Sequence, residues 1–88
     1  MTRVDHNEFL FVQLVIQNQQ IAMMSLGKLK NPVSDKTEIN LEFAKSAIDT
    51  LDMLKEKTLG NLSKYEEQFL NETIRDLKLI YVAENKKE

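Results

Sequence analysis

Apolar residues recur at helical spacing in three stretches, and glycine or proline separates each stretch from the next. The first stretch covers residues 7–29. Projected at about 100° per residue, Val15, Ala22, Leu26 and Leu29 form one row, with Gln19 in it and Phe11, Val12 and Met23 beside it. Leu10, Leu14, Ile21 and Met24 form a second row, which also contains Gln17. An ordinary surface helix carries one apolar stripe. Two stripes predict a helix that is covered on two sides, either by both other helices in one wide core or by a second molecule. Residues 9–16 alone would also fit a strand, but the helical spacing continues past Gln20.

The second stretch, 41–59, follows Asn40, a good N-cap, and has Glu42 in its first turn. Phe43, Ala44, Ala47, Ile48, Leu51 and Leu54 share one face, with Thr58 in line. Glu42, Lys45, Asp49, Asp52 and Glu56 take the opposite face. The small Ala44 and Ala47 let another helix approach closely. Gly60 is expected as the C′ residue ending this helix.

The third stretch, 64–83, opens with a capping box, Ser63 as N-cap and Glu66 three residues on. Phe69, Leu70, Thr73, Ile74, Leu77, Ile80 and Tyr81 make its buried stripe, while Leu79 and Val82 point away. The short link 60–62 predicts an antiparallel hairpin of helices two and three, with helix one packed across it. The longer link, 30–39, holds Pro32 and the turn formers Asn31, Ser34 and Asp35. The expected fold is all-α, three helices at about 7–29, 41–59 and 64–83. They form a single domain over 1–88, with 1–6 and 85–88 flexible.

Composition sharpens this. A chain of 88 residues buries only about 60–65% of its unfolded surface, so extra core from oligomerisation would help it. With no Cys, neither disulfides nor thiolate metal sites are available. The net charge of −2 is not that of a typical nucleic-acid binder. No leader pattern is apparent, and no stretch approaches the ~20 apolar residues of a membrane span. The expectation is a soluble, unexported, cytoplasmic protein without membrane contact.

Ala44-Lys45, Ile48 to Leu54, Lys57-Thr58-Leu59-Gly60-Asn61-Leu62-Ser63 and Glu66 together resemble a bacterial family catalogued as domain of unknown function eighteen forty-four. Phe9, Phe11, Val12, Leu26-Gly27, Asn31-Pro32, Leu77 and Tyr81-Val82 also fit its pattern. The likeness spans residues 9–83, and Lys-Thr-x-Gly-Asn-Leu-Ser/Thr is its most specific part. Leu59 departs from the family, which usually has a polar or basic residue there. The resemblance implies a small helical bacterial protein and no particular activity.

The candidate chemistry is thin. His6, the one histidine, falls before the first helix and reads as solvated. Asp49 and Asp52 lie opposite the apolar stripe, Glu66 is taken by capping, and no Glu-x-x-His pair exists for a bundle metal site. Lys57, Gly60, Asn61 and Ser63 suggest an anion-binding turn at a helix N-terminus, against which stands its plainer role as an inter-helix turn. Lys28, Lys30 and Lys36 suggest a small phosphate-facing patch, without a stacking aromatic. No enzyme activity, cofactor or metal is expected. The favoured function is a non-catalytic interaction module. It self-associates, as a homodimer, through Leu10, Leu14, Gln17, Ile21 and Met24, and could dock to a larger protein assembly. Gln17 or Gln19 could pair with its own copy across a two-fold axis. The alternatives are a nucleic-acid- or ribosome-associated accessory protein and an anion binder.

Overall fold

The chain forms three helices, α1 (Arg3–Ser25), α2 (Leu41–Lys57) and α3 (Lys64–Lys86), in a computed structural model that describes residues 2–87. Among those residues there is no strand, only two isolated bridges, Asn31 with Lys36 inside the longer link and Leu26 with Ile39 where the link returns to the end of α1. The all-α architecture is the expected one. Each helix packs on the other two, and α1 lies across the α2–α3 hairpin.

α1 starts four residues earlier than expected, at Arg3 rather than Asn7. Its capping box explains why. The Thr2 hydroxyl accepts the Asp5 N–H at 3.1 Å, and the Thr2 N–H donates to Asp5 Oδ2 at 3.3 Å. Arg3 to His6 are therefore helical, and His6 lies inside α1 rather than before it. Of the ends expected to be flexible, Met1 and Glu88 lie outside the described residues, and Asn85 and Lys86 extend α3.

α1 also stops earlier, at Ser25 instead of Leu29, because Gly27 takes φ +75°. The Gly27 N–H donates to the Met24 carbonyl at 3.0 Å and the Lys28 N–H to the Met23 carbonyl at 2.9 Å. These two bonds make a Schellman motif, which satisfies carbonyls that the helix end leaves open. A Cβ on Gly27 would meet Ile39 Cγ1 at 2.9 Å, so Ile39, at the end of the link, presses against the turn. Leu29 leaves the helix and is 42% exposed, not part of the core row.

The link folds back on itself. The Asn31 N–H donates to the Lys36 carbonyl, and Asn31 Oδ1 accepts from Val33 N–H at 2.8 Å across Pro32. Asp35 takes φ +57°, a conformation Asp tolerates better than most residues. Asn40 then caps α2, accepting the Phe43 N–H at 3.0 Å.

α2 ends at Lys57, with Thr58 as its cap. Gly60 therefore sits one residue beyond its expected C′ place. It occupies the third position of a turn closed by Asn61 N–H to the Thr58 carbonyl at 2.8 Å, with φ +83°. Ser63 caps α3 as expected, its hydroxyl accepting the Glu66 N–H at 3.1 Å while Glu66 Oε1 accepts the Ser63 N–H at 2.7 Å.

The core joins Val15, Ala22 and Leu26 to Ala44, Ala47, Ile48 and Leu51, and to Leu70, Ile74 and Leu77. Each large aliphatic member contributes about 1.5–3 kcal/mol by leaving water. Phe43 is the exception to the expected α2 face, at 57% exposure. It sits at the edge turned toward α1, in the first turn, where the neighbouring helix does not cover it.

Candidate interaction surface

The second row of α1 runs along the side of the helix away from α3 and beside α2. Leu10 is 47% and Leu14 40% exposed. Gln17 is exposed, and Ile21 and Met24 are half-buried. Ile21 reaches the core, so the three-helix packing uses part of this row and leaves its N-terminal half to solvent. Phe43 flanks the other half. With Ile21, Met24, Asn31 and Glu38 it lines a cleft of about 260 Å³. A smaller cleft of about 160 Å³ continues between Asn18, Ile21, Phe43 and Thr50. Leu10, Leu14, Ile21, Met24 and Phe43 thus lie along one two-helix surface.

This surface lacks charge along α1. No Asp, Glu, Lys or Arg occurs between Glu8 and Lys28. A solvated helix face normally carries mixed charges, so a charge-free one with open leucines is unusual for a surface that meets only water. The signal is readable in the sequence as a run without charge, which the spacing of apolar residues does not itself display.

The expected anion-binding turn is arranged differently. Gly60, Asn61 and Ser63 line a shared cleft with Glu8 and Glu66, while Lys57 stands outside it. Glu8 Oε2 accepts from the Ser63 hydroxyl at 3.4 Å, and Glu66 accepts the Ser63 N–H. Two carboxylates thus face the positive end of α3, where an anion would have to sit.

Of the three lysines of the candidate basic patch, Lys28 is taken up by a carboxylate. Lys28 Nζ lies 2.7 Å from Glu84 Oε1, joining the turn after α1 to the last turn of α3. Glu84 is buried, its side chain 5% exposed, and it also meets Lys87 at 3.2 Å. The bonds from Lys28 first, then Lys87, hold its carboxyl below the ordinary glutamate value, against the opposing effect of burial. The sequence gives no sign of this clasp, because the partners are 56 residues apart. Asp49 bonds Lys45 at 3.0 Å and raises the lysine above its ordinary value. Asp52 meets Lys78 across the hairpin at 3.0 Å. Both aspartates thus form ion pairs. Among the described residues, no group of three or more His, Cys, Asp or Glu could hold a metal. Among the same residues, no helix is long and apolar enough to cross a membrane.

What fold and surface define is a small three-helix protein whose main unexplained feature is an apolar, charge-free α1 face. The chain belongs to the family described as Domain of unknown function (DUF1844), which matches residues 8–84. No curated protein and no solved structure matches it.

Proposed function

We propose that the chain is a non-catalytic helical interaction module that self-associates through α1. The observation that supports this most is the solvent-facing Leu10 and Leu14 on a stretch of helix without a charged residue. Burying such a face in another protein removes apolar area from water and leaves no ionic group to desolvate. Small size supports the same reading, since an 88-residue chain gains proportionately from extra core. Leu79 and Val82, 65% and 50% exposed on the far side of α3, offer a second surface for a larger assembly. A cytoplasmic setting belongs to this reading and agrees with the absence of cysteine.

Sedimentation equilibrium tests the proposal. The native chain should show the dimer mass at high micromolar concentration, and Leu14→Glu should show the monomer mass with unchanged helical circular dichroism. A native chain that stays monomeric at that concentration overturns it.

A further inference from the structure

Resting on that reading, we infer that the occupant of the α1 face is a second copy of this chain laid antiparallel, with the two-fold axis near Gln17 and Thr50. Gln17 is the middle member of the row, with Leu10 and Leu14 on one side and Ile21 and Met24 on the other. A rotation centred there sets Leu10 near Met24 of the second copy and Leu14 near Ile21. The polar residue meets itself, and a glutamine amide can both donate to and accept from its twin.

On α2, Phe43, Thr50 and Lys57 are spaced by heptads, and Phe43 and Thr50 border the cleft beside α1. Thr50 shares a cleft with Asn18, so it stands at the level of Gln17. The same rotation carries Phe43 over the aliphatic stem of the second copy's Lys57. Both helices therefore place a polar residue, Gln17 on α1 and Thr50 on α2, at one centre.

The ends of the face set the orientation. Arg3 and Lys57 are exposed at one end. Glu38 lines the cleft at the other end, beside Asn31 and Met24. α1 ends at Ser25, so an antiparallel copy carries Arg3 past the last turn of the second copy's α1, toward the end of the face that Glu38 lines, and opposite charges approach. A parallel copy would set Arg3 against Arg3 and Glu38 against Glu38, and like charges across an interface oppose pairing. A charged foreign partner would be mismatched to the charge-free centre, whereas a copy is matched to it. The size is also adequate. Two helices side by side offer a footprint of about 30 by 20 Å, before side-chain relief is counted. That is of the order of the ~800 Å² per partner in stable complexes.

The cysteine-free chain makes thiol cross-linking a clean test. A mixture of tagged Leu10→Cys and untagged Met24→Cys, treated with a short bis-maleimide, should give the mixed cross-linked dimer as the main product. Leu10→Cys alone should give several-fold less, because antiparallel copies hold those positions about 20 Å apart along the helix. Gln17→Cys alone should cross-link efficiently. Efficient Leu10→Cys self-linking with little mixed product overturns the orientation and leaves the α1 interface standing. A sedimenting dimer that none of the three variants can link overturns the α1 face itself. A monomer in sedimentation overturns both this inference and the reading beneath it. Circular dichroism of each variant confirms that it is folded.

Discussion

Gly27 carries two constraints at one position: a positive φ and a neighbour, Ile39 Cγ1, within 2.9 Å of where a Cβ would stand. Gly60 carries only the first, since nothing lies within 4 Å of its Cβ position. The pair separates backbone strain from crowding. Gly60→Ala should cost about 1–2 kcal/mol, the penalty of left-handed backbone for an L-residue. Gly27→Ala should cost more, because Ile39 must also move. Urea denaturation of both variants measures the difference, and equal losses would show that Ile39 yields freely. Glu84 gives a second residue-scale prediction. Its folded pKa is lowered by Lys28 and Lys87, so the unfolded chain binds its proton at higher pH than the folded one does. The stabilising contribution is therefore complete above the ordinary glutamate value of about 4.3 and disappears as pH falls through the lower folded value. The stability gap between the native chain and Glu84→Gln should stay flat from neutral pH to about pH 5 and shrink below about pH 4. A gap that widens on acidification would contradict the assignment. Asn40, Ser63 and Glu66 were legible as caps because capping is local. Thr2 and Asp5 carry the same local signal, yet the polar N-terminus masks it when a helix is sought from its apolar residues. Glu84 had only the local signal of Lys87, since its closer partner Lys28 lies 56 residues away along the chain.

At the scale of elements, α2 and α3 were read well from their single stripes, and Leu51, Leu70 and Leu77 lie where those stripes put them. Projection onto a helical wheel finds the buried direction but not where a neighbour stops. That is why Phe43 is open although its row is buried, and why Leu29 drops out once Gly27 ends α1. α1 is harder, because two apolar rows fit both a wide core and a second contact. The helix divides between these outcomes: Ile21 leans on the core, while Leu10 and Leu14 do not. Truncations should reveal the division. Leu51→Ala, at a fully buried site, should cost about 2–5 kcal/mol through lost transfer and the residual cavity. Leu14→Ala should cost under about 1 kcal/mol at concentrations where the chain is monomeric, since its side chain already meets water. Comparable losses in dilute urea titrations would mean that Leu14 belongs to the intramolecular core.

For the whole molecule, the proposed pairing changes what stability means. Three helices around a core of ten buried apolar residues among those described make a domain for which a few kcal/mol is a large share of the total. A second copy binds the folded chain and not the unfolded one, so association adds stability by mass action. The gain is about 2.7 kcal/mol when the free chain stands at a hundred times its dissociation constant, and it vanishes on dilution. The thermal midpoint of the native chain should therefore rise with protein concentration from the nanomolar to the high micromolar range. For Leu14→Glu it should be independent of concentration and lie close to the native value at the dilute end. The two curves must converge on dilution, because the substitution sits on a surface that the lone subunit exposes. A Leu14→Glu midpoint far below the native one even at nanomolar concentration would mean the glutamate disrupts the subunit itself. A flat native curve would mean that α1 meets no second copy over that range. Parallel rise and flatness, with convergence at low concentration, is the combination that only reversible pairing through this face produces.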